Sequence, residues 1–515
     1  MSQHLSEQEL IRREKLATLQ GMGIDPYPAA LYPVNISAAT IRADYKGEEN
    51  KADFAEVCLA GRIMSIRDMG KASFAVMQDS SGRIQLYIKK DDICTGEDKS
   101  LYDQVWKKLT DLGDIIGVKG YVFTTKTGET SVHVRELSIL TKSLKPLPVV
   151  REVDGQTFDA VSDPEFKYRQ RYADLIINPD VKKTFLQRTT MINTIRDFLN
   201  AQGALEVDTP VLQAIPGGAA ARPFTTHHNA LDVPFYLRIA NELYLKRLIV
   251  GGFDWVYEFS RNFRNEGMDR THNPEFTVLE WYTAYKDYFW MMEITEQLFE
   301  KIALALHGTT DVQVGDKVLS FKAPFKRISI HESIQENTGI DVSEMDEAGL
   351  REVCKKLEIA VPGNIGKGKL IDEIFGATSE HTYIQPTFII DYPVEMSPLT
   401  KKHRSKPGLV ERFELMINGK ELANAYTELN DPIDQRERFE EQLALMERGD
   451  DEAMFIDHDF LRALEYGMPP TSGIGIGIDR LAMLMTNQPS IQDVLLFPQM
   501  RPEKFGEPEK EAENE

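Results

Sequence analysis

Cysteine is scarce in this chain, and this scarcity limits the classes of protein to consider. The three cysteines, Cys58, Cys94 and Cys354, are scattered along 515 residues. Their spacing matches no zinc-binding pattern, and so few thiols are typical of a reducing compartment rather than of a disulfide-rich secreted protein. The sequence therefore predicts a cytoplasmic protein without a zinc site.

Long apolar runs and an excess of positive charge are missing as well. No stretch approaches the roughly 20 apolar residues of a membrane-spanning helix, and the polar start MSQHLSEQELIRREK lacks the apolar centre of a signal peptide. The formal net charge is −21, so a nucleic acid would have to be bound by local basic patches. These absences argue against a membrane protein and against a general nucleic-acid coat.

The predicted secondary structure changes twice within the first third of the chain. Residues 1–52 predict a charged helix followed by an irregular connector. Residues 53–145 contain five short alternating stretches and one helix-like segment, LYDQVWKKLTDL, a pattern that predicts a closed five-stranded barrel of the OB type. The proline-bearing segment that follows starts a predicted linker over residues 146–180.

The rest of the chain mixes helical and strand patterns, which predicts an α+β domain over residues 181–502. A helical insertion is expected at about residues 328–385 within it. Residues 503–515 are rich in Glu and Lys without apolar spacing and predict a disordered acidic tail.

The stretch from Asp254 to Tyr285 predicts an antiparallel hairpin, because two runs of aromatic and β-branched residues flank a polar loop. Strand alternation places Glu280 and Tyr282 on one face and Trp281 on the opposite, packed face. An ordinary solvated hairpin is the alternative, but FRNEG followed by HNPEF is an unusually ordered string.

A second hairpin is predicted at NGK, because Asn-Gly is a strong two-residue turn signal. Pairing across that turn makes Glu414 and Glu421 diagonal neighbours, roughly 7 Å apart, a separation that a hard cation and its phosphates can bridge. Two unrelated surface carboxylates are the alternative. Asn424 and Glu428 join the same face only if a bulge lies between residues 421 and 424.

The string GIGIGIDR, from Gly473 to Arg480, alternates glycine with isoleucine. This spacing differs from a Rossmann phosphate loop and predicts a strand with one bare face, against which a flat ligand can lie. Arg480 at its end can cap an adenine or contact a γ-phosphate.

Three of these stretches, taken in order, resemble the motifs of class II aminoacyl-tRNA synthetases. FLQRTTMINTIRDFLNAQG with GALEVDTP resembles motif 1, FRNEG with HNPEF resembles motif 2, and GIGIGIDR resembles motif 3. The resemblance implies a catalytic domain built on an antiparallel sheet flanked by helices, ATP as co-substrate, Mg²⁺ as cofactor, and a homodimer formed through motif 1.

The resemblance also implies roles for individual residues. Arg264 is expected to be catalytic, holding the α-phosphate and the amino-acid carboxylate, and Phe276 is expected to stack on adenine. The ATP-binding set comprises Arg264, Glu266, His272, Phe276, Glu414, Glu421 and Arg480. Glu414 and Glu421 are also the expected Mg²⁺ ligands.

The predicted barrel contains Phe74 close to Arg62, Arg67 and Lys71, which would suit a single-strand binder that stacks bases and contacts phosphates. Core packing of Phe74 is the alternative. The string RDMGKASF resembles the anticodon-binding domain of the lysyl, aspartyl and asparaginyl enzymes. That resemblance implies anticodon contacts by Arg67, Phe74, Gln85 and Glu136.

The choice of amino acid depends on buried charge. An aspartate site needs a cation, whereas a lysine site needs anions, because an unpaired buried charge is very costly. The positions that match the amino-acid pocket of the class hold Glu242, Glu280 and Glu428 beside Tyr282. Such an acidic set selects a cation.

The strings IANELYLKR, YPVEMSPLTKKHR and NAYTELND resemble the lysyl members of the class. The expected amino-acid-binding set is Glu242, Arg264, Glu280, Tyr282, Asn424 and Glu428, and the expected activity is ATP-dependent activation of L-lysine and its transfer to tRNA(Lys). An aspartyl or asparaginyl enzyme and a non-catalytic RNA-binding paralogue are the alternatives.

Overall fold

The structure is a computed structural model that describes residues 5–148, 151–153, 156–158, 163–219, 221–363, 365–447 and 456–502. These residues fall into two compact units, one within residues 1–163 and the other over residues 164–502. The tail predicted to be disordered lies outside the described residues. None of the helices in the described part of the chain is long and apolar enough to cross a membrane.

The first unit contains the helices α1 (Glu7–Gly21), α2 (Ala38–Asp44) and α3 (Lys90–Ile93) and the strands β1 (Val57–Asp68), β2 (Ala72–Gln78), β3 (Arg83–Lys89), β4 (Ile115–Thr124), β5 (Thr130–Thr141), β6 (Arg151–Val153) and β7 (Gln156–Phe158). Two 3₁₀ turns (Gly47–Glu49 and Lys51–Phe54) and a π-helical segment (Leu101–Leu109) complete it.

The predicted five-stranded barrel is confirmed. Its strands close in the order β1-β2-β3-β5-β4. Alternation along β2 turns Ala75 and Met77 into the barrel core and leaves Phe74 half-buried on the outer face. The π-helical segment contributes Tyr102 and Trp106 to the same core, so the helix-like insert seals the barrel interior.

The second unit contains the helices α4 (Pro164–Arg169), α5 (Arg171–Ile177), α6 (Pro179–Asn200), α7 (Glu242–Val250), α8 (Tyr288–His307), α9 (Ile330–Thr338), α10 (Glu347–Lys356), α11 (Lys367–Thr378), α12 (Pro432–Glu447), α13 (His458–Glu465), α14 (Ile478–Met485) and α15 (Ile491–Val494). Its strands are β8 (Leu205–Glu206), β9 (Leu212–Gln213), β10 (Thr225–His228), β11 (Val233–Leu237), β12 (Trp255–Phe263), β13 (Glu275–Ala284), β14 (Asp311–Val314), β15 (Lys317–Ser320), β16 (Lys326–Ser329), β17 (Thr387–Pro393), β18 (Leu409–Ile417), β19 (Lys420–Thr427) and β20 (Thr471–Gly477). Two 3₁₀ turns lie at Glu380–Thr382 and Val394–Met396.

The described strands of this unit build an eight-stranded sheet in the order β16-β17-β18-β19-β20-β13-β12-β8. Its central strands are antiparallel, and only the outermost pairs, β16 with β17 and β12 with β8, are parallel. This confirms the predicted antiparallel sheet flanked by helices. The glycine-alternating strand β20 lies between the two predicted hairpins and joins them.

The two faces of the sheet differ because side chains alternate along each strand. One face sends Leu279, Trp281 and Ile474 into a large apolar core that also receives residues of α6, α8 and α14. The opposite face carries the charged residues and is covered in part by α7 and α13, whose apolar side chains pack around Tyr282. The predicted site residues on these strands therefore lie on the face that does not form the main core.

Two segments differ from the simplest sequence-based picture. The motif 1 segment ALEVDTPVL, whose apolar and β-branched residues predict one strand, forms only the two-residue strands β8 and β9, which belong to different sheets. Pro210 lies between them, and a proline cannot donate a ladder hydrogen bond. Residues 164–177, placed in the linker from sequence, form α4 and α5, where buried Arg171 pairs with Asp174 at 2.7 Å and donates to carbonyls near residue 495.

Candidate active site

The floor of the candidate site is one row of cross-strand neighbours on the polar face of the sheet. Glu414, Asn424, Gly475, Glu280 and Glu258 lie directly opposite one another in turn, on β18, β19, β20, β13 and β12. Glu414 and Glu280 are three inter-strand steps apart, which corresponds to roughly 14 Å. The row therefore separates two charged clusters on one rigid surface.

A bulge in the second hairpin creates this row. Pairing runs from Met416 with Glu421 to Leu415 with Ala423, which leaves Leu422 as the extra residue. Leu415, Leu422 and Ala423 all enter the apolar core, so the polar face regains Asn424 directly opposite Glu414. From the sequence, Asn424 and Glu428 could share this face only if a bulge lay between residues 421 and 424. The structure contains that bulge.

The first cluster surrounds the side chain of Lys246, which sequence reasoning missed. Its ammonium lies 2.5 Å from Glu242 Oε1 and forms a second ion pair with Glu428. The Tyr426 hydroxyl donates to Glu242 at 2.8 Å. All three charged groups are buried, so the helix α7 and the strand β19 are joined by an ionic network.

Glu280 lies beside this network and is hydrogen-bonded by a tyrosine hydroxyl. The Tyr282 hydroxyl donates to Glu280 Oε2 at 3.2 Å. Burial, followed by the charge of Glu242, raises the pKa of Glu280 to about 8. Burial also raises the pKa of Glu428 well above its usual range, while Lys246 acts in the opposite direction. The pocket therefore holds carboxylates that an incoming cation would stabilise in the ionised form.

Glu258, behind Glu280, is fully paired within the protein. Arg238 contacts it at 2.7 Å, and the Asn241 side-chain amide donates to it at 2.9 Å. Asn241 also precedes α7 and accepts from Ser260. Asn241 thus fixes the start of the helix that presents Glu242 and Lys246.

The bare face of the glycine strand is filled by side chains of the site. A Cβ placed on Gly473 would lie 2.3 Å from Glu428 Oε1 and 2.3 Å from the Tyr282 ring. A Cβ on Gly475 would meet the Glu280 side chain at 3.7 Å. The expectation that a flat ligand lies against this strand is therefore wrong at Gly473, where Glu428 and Tyr282 already cover the backbone.

The second cluster contains the two predicted cation ligands and an arginine that was not predicted. Arg412 contacts Glu414 at 2.6 Å and donates to Asn424 Oδ1 at 3.0 Å, and its guanidinium stacks on the Tyr392 ring at 4.6 Å. Burial raises the pKa of Glu414 to about 7, with Arg412 opposing and Glu421 adding to the rise. Among the described residues, no group of three or more His, Cys, Asp or Glu side chains is arranged to hold a metal ion.

The tip of the first hairpin approaches this second cluster. Arg264 follows β12 and its guanidinium lies over the Phe276 ring, 5.1 Å from the centroid. Its charged neighbours are Glu266, Glu421, Arg480 and Glu280. The guanidinium therefore lies within electrostatic reach of both clusters.

Arg480 connects the glycine strand to the hairpin tip. It donates to the Glu421 carbonyl at 3.1 Å and to His272 Nε2 at 3.1 Å. Because Nε2 accepts this bond, His272 carries its proton on Nδ1, which contacts Asp269 at 2.8 Å. Glu266 is exposed. The structure thus brings together the residues assigned to ATP, with Glu266 at the rim.

Lys246, Arg412 and Tyr426 were missed although the sequence contained a signal for each. Lys246 lies four residues after Glu242 on one helix, a spacing that favours contact. Arg412 precedes Glu414 by two residues and Tyr426 follows Asn424 by two, so strand alternation places each on the polar face.

The first unit carries a second candidate site, an aromatic surface on the outside of the barrel. Arg67, Phe74, Tyr87 and His133 are direct cross-strand neighbours on β1, β2, β3 and β5. The Phe74 and Tyr87 rings lie 5.1 Å apart, and Tyr87 and His133 are also 5.1 Å apart. Core packing of Phe74 is therefore wrong, since its ring faces outward.

The other residues assigned to the anticodon lie on the same barrel face with partners of their own. Gln85 donates to Ser131 Oγ at 2.8 Å, and Glu136 is exposed and paired with Lys119 at 2.6 Å. Glu136 faces outward because the β4–β5 ladder shifts register beside it. Arg62 instead donates to the Gly113 carbonyl at 2.7 Å, which makes it a structural residue of the barrel.

Comparison with known protein families shows to which family this combination of a barrel and a catalytic sheet belongs. Residues 163–501 match the family described as tRNA synthetases class II (D, K and N), and residues 57–140 match the OB-fold nucleic acid binding domain. The chain belongs to the class II tRNA synthetases. The resemblance found in the sequence motifs is confirmed, as are the barrel and the catalytic fold that it implied.

The relatives of this synthetase are consistent in name. It is 67% identical over 500 residues to the lysine–tRNA ligase of Porphyromonas gingivalis, covering 97% of this chain and 86% of the relative. It is 61% identical over 515 residues to that of Christiangramia forsetii, covering 99% and 90%. It is 62% identical over 501 residues to that of Azobacteroides pseudotrichonymphae, covering 97% and 100%.

Replacing Gly473 by alanine should raise the KM for the amino acid at least about tenfold, because the new Cβ forces Glu428 and Tyr282 apart. The KM for ATP should change little. Both are measured by amino-acid-dependent ATP–pyrophosphate exchange. Gly376→Ala, where the nearest atom is 3.8 Å from the new Cβ, is the matched control and should behave as wild type. A wild-type amino-acid KM in Gly473→Ala would contradict this arrangement.

Proposed function

We propose that this class II synthetase is a lysine–tRNA ligase that activates L-lysine with ATP and transfers it to tRNA(Lys). The main support is the charge of the pocket. Three buried carboxylates, Glu242, Glu280 and Glu428, lie in this pocket, and the Lys246 ammonium pairs with Glu242 and Glu428. A pocket with this excess of buried negative charge favours a cationic side chain and disfavours aspartate.

The proposed first step forms lysyl-adenylate. The lysine carboxylate attacks the α-phosphorus of ATP, and pyrophosphate leaves with the electrons of the broken P–O bond. No general base is needed, since the nucleophile is already an anion. Arg264 lies within reach of both clusters, and its planar guanidinium suits the charge that develops on the phosphoryl oxygens.

The second step transfers lysine to the tRNA. A terminal ribose hydroxyl attacks the carbonyl carbon of the adenylate, the bond to AMP breaks as the ester forms, and the departing phosphate of AMP takes up the hydroxyl proton. The distance between the clusters supports this scheme, because the row from Glu280 to Glu414 is long enough for an amino acid joined to a nucleotide. Glu280, Tyr282 and Glu428 would bind the lysine side chain, and Glu242 would face its α-ammonium.

The residues assigned to Mg²⁺ fit that ion in their chemistry. Glu414 and Glu421 are carboxylates on the same face of one hairpin, and Mg²⁺ prefers a few carboxylate oxygens completed by phosphates and water. When bound, the ion would offset the charge of the β- and γ-phosphates. Arg412, paired with Glu414, would orient this carboxylate toward the ion.

A homodimer and a cytoplasmic location are part of the proposal. Motif 1 and the residues directly after it expose several large apolar side chains, namely Leu186, Leu205, Val211, Leu212 and Ile215. Such exposed apolar residues favour a partner surface. The three cysteines are buried and unpaired with one another, which suits a reducing compartment.

ATP–pyrophosphate exchange over a panel of amino acids tests the proposed activity. Lysine should support exchange, whereas aspartate and asparagine should give rates near the blank. Each active amino acid should then be charged onto purified tRNA(Lys). Exchange with aspartate or asparagine alone would favour an aspartyl or asparaginyl enzyme. The absence of exchange with any amino acid would favour a non-catalytic RNA-binding protein.

Changing Glu414 and Glu421 together to Gln should raise the Mg²⁺ concentration needed for half-maximal exchange and lower the maximal rate. The reason is that the ion, which offsets the charge of the phosphates, would lose its two carboxylate ligands. The measurement is an Mg²⁺ titration at saturating lysine. Glu437→Gln/Glu441→Gln, on the exposed side of α12, removes the same charge and serves as the control. An unchanged titration would remove both glutamates from the cation site.

Changing Phe74 to Ala should weaken tRNA binding by roughly 1–3 kcal/mol, the usual worth of one stacked base, while lysine-dependent exchange stays intact. Binding of tRNA(Lys) is measured by filter binding at fixed salt. Leu31→Ala removes an exposed apolar side chain of the same unit and is the control. A parallel loss of exchange would show that the barrel is not a separate anticodon-binding module.

A further inference from the structure

The ammonium of Lys246 occupies an unusual position for a lysine. The side chain is completely buried, and its ammonium contacts both Glu242 and Glu428. Three aromatic rings, Tyr282, Tyr426 and Phe460, surround the ammonium at 5.5–6.0 Å. A buried lysine would lose its charge in an apolar site, so these two carboxylates are what maintain it.

The contact with Lys246 divides the Glu428 carboxylate into two different oxygens. Oε2 forms the ion pair with the ammonium. Oε1 is buried, has no hydrogen-bond partner among the described residues, and lies over Gly473. A buried acceptor without a partner is costly unless a ligand supplies the donor. The geometry therefore leaves one Glu428 oxygen available for a substrate donor.

The formal charge of the pocket matches the two ammonium groups of lysine. Glu242, Glu280 and Glu428 together with Lys246 leave a formal charge of −2 when all are ionised. Lysine carries two ammonium groups, so its amino groups neutralise the pocket in the complex. Without Lys246, one carboxylate would remain without a counter-ion in a site of low dielectric, a strongly unfavourable state.

We infer that Lys246 is a positioning and specificity-determining residue, a built-in countercharge that orients Glu242 and Glu428 and sets the pocket to accept two ammonium groups. This inference rests on the proposed function. It assigns Lys246 no contact with the reacting atoms. It predicts that the loss of one pocket carboxylate can be offset by the loss of Lys246, because the two charges balance each other.

The other charged and titratable groups that face this network are Glu258, Arg238, Arg264, Tyr282 and Tyr426. Arg264 interacts with Glu280 but is expected to face the substrate carboxylate and α-phosphate, so it does not enter this count. Glu258, behind Glu280, is neutralised by Arg238 at 2.7 Å. The tyrosine hydroxyls of Tyr282 and Tyr426 donate to Glu280 and Glu242, and burial raises the pKa of both phenols well above the usual value. They stay neutral over the working range of pH.

The pH dependence follows from these surroundings. Desolvation opposes the charge of Lys246, but Glu242 and Glu428 outweigh it and raise its pKa. Lys246 in turn lowers the pKa of Glu428 against the effect of burial. Because lysine binds the ionised carboxylates, kcat/KM for lysine should rise with pH as they deprotonate. Removing Lys246 should move this rise to higher pH.

The first test replaces Lys246 by methionine, which keeps an unbranched apolar side chain and removes the charge. The KM for lysine should rise at least about tenfold, the KM for ATP should stay within about twofold, and the rise of kcat/KM with pH should move upward. Lys322→Met, an exposed lysine of the same unit, is the control and should match wild type.

The second test is a double variant that decides the matter even if Lys246→Met fails to fold. Glu428→Gln alone leaves two carboxylates and Lys246 in the pocket, too little negative charge for the two ammonium groups of the substrate. The KM of this variant for lysine should therefore rise about a hundredfold or more. Lys246→Met/Glu428→Gln restores the balance of charges. Its KM for lysine should be at least about tenfold lower than that of Glu428→Gln.

The outcomes separate this inference from the proposed function. Partial rescue in the double variant supports the countercharge role, since a purely structural lysine would give no rescue. A double variant equal to or worse than Glu428→Gln overturns the inference, as does a Lys246→Met enzyme with the pH profile and lysine KM of wild type. If the wild-type protein shows no lysine-dependent exchange, the proposed function itself fails.

Discussion

The burial of carboxylates on one face of the central sheet is the constraint on which the rest of this structure depends. An isolated buried carboxylate is very costly, so each is matched by a cation or a hydroxyl. Glu258 is paired with Arg238, Glu414 with Arg412 of the same strand, and Glu428 with Lys246 of α7. The contacts of Glu258 and Glu428 join β12 to the chain before α7 and attach α7 to the sheet. These two charge pairs of the candidate site are therefore also tertiary contacts.

The sheet makes this arrangement possible by separating its two faces. Leu279, Trp281 and Ile476 enter the apolar core with α6, α8 and α14, which provides the stability of the unit. The opposite face is then free to hold polar groups at fixed inter-strand distances. Its middle strand, β20, has glycines where other strands have side chains, and Gly473 leaves the space that Glu428 and Tyr282 fill.

The two units carry different candidate binding surfaces. The barrel presents Phe74, Tyr87 and His133 as a row of rings, a surface that suits unstacked bases. The larger unit holds charged clusters at two ends of one strand row. With a net charge of −21, the chain as a whole repels nucleic acid, so these local surfaces must supply the contacts.

The sequence by itself determined the features that depend on neighbours along the chain. Periodicity defined the barrel strands and the faces of Glu280 and Trp281, and Asn418–Gly419 set the hairpin turn, where both residues adopt positive φ. Tertiary structure alone decided the rest. The bulge at Leu422 follows from apolar packing against the main core, and the outward direction of Phe74 follows from barrel closure. The pairing of Lys246 with Glu428 joins residues 182 positions apart, and a contact over that separation has no local pattern to reveal it.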